Sequence, residues 1–169
     1  MDTLKCLGDS NGEQLYLLGF NISDDVIELD EAIEVPGSKI RTAEGQDGFA
    51  FNHDSEVQIV KELRKKSLHL ASIHNHPSVR KDRILIDASK LSPKDKEYFE
   101  LFRTSQQCEH HFIVAQYPQP YPDNLPPMKL RQDGGVVQFF TGGNKCELIL
   151  FQWQADDWMQ TAISLLKPI

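Results

Sequence analysis

Up to Val35 the chain reads as three extended segments separated by polar turns. Thr3 to Asp9 (TLKCLGD) and Glu13 to Asn21 (EQLYLLGFN) flank Ser10-Asn11-Gly12, a turn sequence, and together predict a hairpin. In the second arm Leu15, Leu17 and Gly19 alternate with Tyr16, Leu18 and Phe20. Both faces are therefore apolar, as in a central strand. A polar turn around Ser23 to Asp25 leads into a third strand, VIELDEAIEV, ended by Pro36-Gly37. Residues 38–52 read as a Gly-rich, irregular stretch.

The period then lengthens. Asp54 or Ser55 is positioned to cap a helix, SEVQIVKELRKK, with Val57, Val60 and Leu63 on one face. A strand, LHLASIH, follows, and then a second helix running from Ser92 through DKEYFELFR, with Tyr98, Phe99 and Phe102 apolar. EHHFIVAQ reads as another strand. Gln116 to Pro127 holds five of the nine prolines and reads as an extended surface loop. VVQFF and CELILFQW predict two short β segments, and ADDWMQTAISLL predicts a terminal helix. The expected fold class is α+β: one domain over residues 1–169, with a mixed sheet flanked by helices.

Composition narrows the function. At 169 residues, 40% hydrophobic and 25% charged, the chain fits a single globular domain. No apolar run reaches the ~18 residues of a membrane span, and MDTLKCLGDS lacks the layout of a signal peptide. A cytoplasmic location without membrane contact is expected. The net charge of −7 disfavours a nucleic-acid partner, which usually demands a basic stripe. KELRKK, at Lys61 to Lys66, reads as the solvated end of a helix, where cations suit the dipole. Cys6, Cys108 and Cys146 are widely spaced and odd in number, which argues for buried free thiols over a disulfide framework or thiolate zinc site.

Two short motifs carry the candidate chemistry. His74 and His76 stand at the end of LHLASIH, where residues i and i+2 face the same side of a strand and can reach one cation. Pro77 ends that strand. A catalytic zinc normally has three protein ligands and an open position, so the pair needs a partner. Asp95 is the natural candidate, three residues after Ser92 on the first turn of a helix. Each half also has an ordinary reading. The histidines could be a polar turn, and Ser92-Pro93-Lys94-Asp95 is a good helix start in its own right.

Together the two halves resemble the JAMM motif of the JAB/MPN metalloprotease superfamily: an upstream glutamate, His-x-His-Pro, a loop, and Ser-x-x-Asp opening a helix. The form HNHPS, with Asn75 and Ser78, is most similar to the RadC-like prokaryotic branch. GEQLYLLGFN resembles that branch's strand and puts Glu13 at the glutamate position. EHHFIVAQ is similar to its later, histidine-bearing strand. The resemblance covers about residues 13–115. The chain departs from the pattern in three places. The helix that usually precedes the glutamate is missing or reduced. The loop from Pro77 to Ser92 is longer than usual, and it contains Asp82 and Asp87 as rival carboxylates. The tail after Ala115 has no clear counterpart.

The resemblance implies a JAB/MPN (cytidine-deaminase-like) fold and a Zn2+ ion held by His74, His76 and Asp95. Such an ion would make an attacking water available at neutral pH. Glu13 would carry its proton to the leaving amine, and Ser92 would donate to the oxyanion. Glu28, Glu31, Glu34 and Glu44 are alternatives to Glu13, but only Glu13 opens the matching strand. The implied substrate is an amide bond after the C-terminus of a ubiquitin-like protein, cut by a deubiquitinase-like isopeptidase or peptidase, some relatives of which serve antiviral conjugation systems. Such a tail binds as an added strand, and the alternating RILID in the long loop is a candidate edge for it. Three rival readings remain: a metal-free MPN-like scaffold, a RadC-like protein linked to DNA repair, and an iron(II) oxygenase built on two histidines and a carboxylate.

Overall fold

The computed structural model describes residues 2–10, 12–24, 26–41, 47–66, 69–77, 80–81, 84–85, 88–118, 130–141 and 144–165. The chain opens with a helix, α1 (Asp2–Asp9), followed by strands β1 (Leu15–Ser23), β2 (Val26–Val35), β3 (Gly37–Arg41) and β4 (Asp47–Phe51). Helix α2 (His53–Lys65), β5 (His69–His76), β6 (Arg80–Lys81) and β7 (Ile84–Leu85) come next. Helix α3 (Pro93–Gln106) leads to β8 (His110–Pro118), β9 (Arg131–Asp133), β10 (Val136–Thr141), β11 (Asn144–Gln154) and β12 (Asp157–Thr161). No described helix is long and apolar enough to cross a membrane.

Eight strands form one mixed sheet in the order β2-β1-β5-β8-β11-β10-β9, with β12 paired to β11. Strand β1 runs between β2 and β5 and buries both faces over Leu15 to Phe20, as its doubly apolar pattern requires. β5 and β8 are parallel, and α3 makes the crossover between them. Helix α1 covers one side of the sheet, where Leu7 meets Tyr16, Leu18, Ile73 and Phe139. Helices α2 and α3 cover the other. Ile59, Val60 and Leu63 pack on Leu15 and Leu17, while Phe99 packs among Ile113, Ile149, Phe151 and Trp158.

Several expectations need correction. Residues 3–9 are helical, not the first arm of a hairpin. Leu4 and Leu7, three apart, turn toward the sheet, and the Ser10 N–H donates to Cys6 O at 3.1 Å as the last helical bond. The TLKCLG alternation mimicked a strand over a segment too short to show its true period. Residues 38–52 are not simply irregular, since β3 and β4 pair from Gly37↔Phe51 to Arg41↔Asp47. The cap of α2 is Asn52, whose Oδ1 accepts from the Ser55 N–H at 2.9 Å, rather than Asp54 or Ser55. The expected terminal helix is a hairpin. Ala155 and Asp156 both have positive φ (49° and 64°), which turns the chain within two residues so that Gln154 pairs with Asp157. Trp158 then faces the core and Met159 the solvent.

Cys108 and Cys146 are buried free thiols, and burial pushes both up to about 12. Cys6 is exposed, contrary to expectation. Lys61, Arg64, Lys65 and Lys66 are exposed at the end of α2, as read from the sequence. β6 and β7 pair with each other, outside the main sheet. The surface loop expected from Gln116 starts later, since Gln116 to Pro118 end β8, paired with β11, and Gln116 is buried; residues 119–129 lie outside the described residues, as do Asp82 and Asp87.

Candidate metal centre

The carboxyl end of β5 meets the start of α3. In the antiparallel pair of β1 and β5, Leu15 lies opposite His74, so His74 faces the side of the sheet covered by α2 and α3, and His76 follows it two residues on. Crossing from β5 to the parallel β8 requires a helix over this face, and α3 begins directly above the two imidazoles. Open α/β crossovers commonly place their ligand sites at such carboxyl strand ends.

Helix α3 is positioned by its own sequence. Ser92 is the cap, Pro93 occupies the first turn, and Asp95 completes a capping box. Ser92 Oγ accepts from the Asp95 N–H at 3.1 Å, and Asp95 Oδ2 accepts from the Ser92 N–H at 2.6 Å. Asp95, Phe99 and Phe102 fall at i, i+4 and i+7, on one helix face. Phe99 and Phe102 are fully buried and seat that face on the sheet. The same anchoring brings the Asp95 carboxylate to the histidines.

Asp95 Oδ1 lies 3.3 Å from His74 Nε2, and Oδ2 lies 3.4 Å from His76 Nε2. The two Nε2 atoms are 2.9 Å apart. His76 Nδ1 is 3.0 Å from Ala88 O, a bond in which the ring must donate. That leaves His76 Nε2 with its lone pair turned into the cluster, the usual second contact of a metal-binding histidine. His74 is held edge-on against Phe99, with ring centroids 5.8 Å apart. Two nitrogen donors and a carboxylate thus converge on one point, an arrangement a cation relieves. His74, His76 and Asp95 could together hold a metal ion, and they are the one such group among the described residues.

The electrostatics agree. Burial would raise the Asp95 carboxyl, but the adjacent His74 and His76 rings outweigh it and hold the group well below the usual carboxylate range. Burial would lower His76, yet hydrogen bonding and charge from Asp95, the Ala88 carbonyl and the charge of Glu13 carry it upward.

Glu13 lies just ahead of β1 and is exposed. The paired register ends at Leu15↔His74, and Asn75 N–H donates to Gln14 O at 3.4 Å, so continuing it sets Glu13 opposite His76. Glu28, Glu31 and Glu34 lie on β2, one strand further out, and Glu44 is outside the described residues. Ser92 is exposed beside Asp95, and a hydroxyl that accepts a bond can still donate its own proton.

Two contributors have roles that the sequence does not announce. Ala88 acts through its backbone carbonyl, which no side-chain pattern reveals. Asn75, between the two histidines, has a buried side chain directed to the other side of the strand. It is a buried amide between two histidines at the end of β5, and its polarity is the available clue. No protein-family model matches the chain, and no curated protein matches it.

Proposed function

We propose that this protein is a zinc-dependent amide hydrolase of the JAMM type, acting after the C-terminus of a ubiquitin-like protein. The observation that carries the reading is the convergence of His74, His76 and Asp95 across a long intervening segment. These are the positions that His-x-His-Pro and Ser-x-x-Asp imply. Two imidazoles and a carboxylate suit zinc, and the 2.9–3.4 Å donor separations approach the edge of a tetrahedron about 3.3 Å on a side, expected for bonds of ~2.0–2.1 Å. Helix α1 ahead of Glu13 adds support, because a helix before the glutamate belongs to the pattern that the JAB/MPN fold follows.

A bound zinc would supply Lewis acidity and a nucleophilic water at neutral pH. His74, His76 and Asp95 would hold it, with Ala88 fixing the His76 ring. Glu13, opposite His76 and reachable from solvent, would accept the water's proton and return it to the leaving amine. Ser92, at the start of α3, would donate a hydrogen bond from its hydroxyl to the carbonyl oxygen as negative charge develops there. A substrate tail would enter as an extended strand on the exposed side of this cluster.

The test combines metal analysis with cleavage of a ubiquitin-like protein fused through its C-terminus to a reporter. One zinc per chain is expected in protein purified without chelator, with cleavage lost on chelation and restored by zinc. Glu13→Gln should keep the metal and lose ~100-fold or more in rate. Protein without stoichiometric metal, or cleavage indifferent to chelator, would refute the proposal.

A further inference from the structure

The chain that carries Glu13 is fastened by side chains from distant strands. Gln116 Nε2 donates to Leu7 O and Ser10 O at 2.5 and 3.0 Å, and Asn144 Nδ2 donates to Gly8 O at 3.0 Å. Thr141 Oγ1 donates to Asp9 Oδ1 at 2.5 Å. Those contacts fix the end of α1. The contact next to Glu13 comes from Asn75. Its Oδ1 accepts from the Gln14 N–H at 2.7 Å, and its Nδ2 donates to Gly12 O at 2.8 Å. One amide therefore grips the peptide units on either side of Glu13.

Residue type matters here. An N–H faces Oδ1 and a carbonyl faces Nδ2, so the position needs a donor and an acceptor at fixed separation. Aspartate could not donate, and an aliphatic residue could do neither. The side chain is completely buried, where a polar group persists only when its bonds are made. Because successive residues of a strand face opposite sides, His74 and His76 point to the metal cluster while Asn75 points away. The three consecutive residues can thus serve two purposes without competing.

We propose that Asn75 is the positioning residue for Glu13: it fixes the backbone on both sides of the glutamate so that the carboxylate stands at the open side of the metal cluster. This rests on the metal-centre reading and adds to it a residue that touches neither metal nor substrate. Its effect should appear only through Glu13.

Cobalt(II) in place of zinc tests this without a substrate. Metal affinity is measured by competition with a coloured chelator, and visible absorption of the cobalt-loaded protein is followed against pH. The proteins compared are wild type, Glu13→Gln, Asn75→Ala and the double variant. All four should bind cobalt within about threefold of one another. Glu13→Gln should move the pH midpoint of the spectrum by ~0.5 unit or more, the scale of removing one nearby charge. Asn75→Ala should move it in the same direction and add nothing in the Glu13→Gln background. Should Asn75→Ala fail to fold, Asn75→Thr keeps one acceptor in a strand-favouring residue and should give a smaller shift the same way. A tenfold loss of cobalt affinity in the Asn75 variants would overturn the proposal, since the residue would then be supporting the ligands. So would a wild-type midpoint in those variants, an additive double variant, or a Glu13→Gln spectrum that does not move. Wild-type protein that binds no metal would overturn the metal-centre reading itself.

Discussion

Asp95 has two jobs at one position, and they can be separated by heat. As the third residue of α3 it completes a capping box with Ser92. As a carboxylate it faces two imidazoles at 3.3 and 3.4 Å. A capping interaction contributes ~1 kcal/mol, and 1 kcal/mol moves the Tm of a chain this size by about 2–4 °C. Zinc at a thousand times its Kd would stabilise the folded state by ~4 kcal/mol, or about 8–16 °C. Ser92→Ala should therefore melt ~2–4 °C below wild type in chelator yet keep the full rise on adding zinc. Asp95→Ala should also melt lower in chelator, and it should lose most of the zinc-induced rise. The assay is differential scanning fluorimetry or calorimetry of the three proteins, each with chelator and with buffered free zinc. A zinc-induced rise in Asp95→Ala equal to that of wild type would refute its assignment as a ligand. Loss of that rise in Ser92→Ala would show that the cap, not the carboxylate, controls the site.

Three further outcomes follow from the packing. His111 is fully buried, stacked on Phe99 at 3.9 Å, bonded to Ser72 through Nδ1, and its Nε2 meets no described partner. Burial, with smaller contributions from His74 and His110, holds its proton affinity well below that of an ordinary histidine. The unfolded chain takes up a proton below about pH 6.5 that the folded chain refuses, so this contribution is complete above that pH and is lost as pH falls, approaching ~1.4 kcal/mol per unit. His76 is shifted the other way and is common to both proteins, so in chelator His111→Phe should show a flatter loss of stability between pH 6.5 and 5; equal slopes in urea unfolding would contradict the assignment. Gly8 lies where an added Cβ would come within 2.2 Å of Thr141 Cγ2, so Gly8→Ala should cost about 1–3 kcal/mol in the same assay. Ala155 holds a positive φ of 49°, and Ala155→Gly should stabilise the terminal hairpin by roughly 1 kcal/mol.

The parts of the fold that sequence made visible are those whose period ran long enough to be unambiguous. The strands β1, β2, β5 and β8 and the helices α2 and α3 were legible because six or more residues kept one spacing, or because a cap stood at the boundary. Residues 2–9 and 157–161 were misread for the opposite reason. In the first, one helical turn of Leu4 and Leu7 competed with an equally good alternation. In the second, Trp158 and its neighbours suited a helix face until Ala155 and Asp156 entered the left-handed region, which neither residue type announces. Of the candidate site, His74, His76, Ser92 and Asp95 were legible as motifs, and the structure brings the two histidines and the aspartate together. The Ala88 carbonyl and the grip of Asn75 on Gly12 and Gln14 were not, since both depend on backbone groups that only the folded register supplies.

Both halves of the cluster sit on regular elements, with His76 ending a strand and Asp95 opening a helix capped by its own sequence. Between them, the Ala88 carbonyl meets His76 and Ser92 meets Asp95. Closing a flexible loop costs only ~0.6 kcal/mol more for each doubling of its length. The donor spacing is therefore set by the strand end and the helix start, and a longer connection between His76 and Ala88 should cost little stability. For an engineer, that connection is a grafting site beside the donor cluster, one that leaves His74, His76 and Asp95 on the elements that space them.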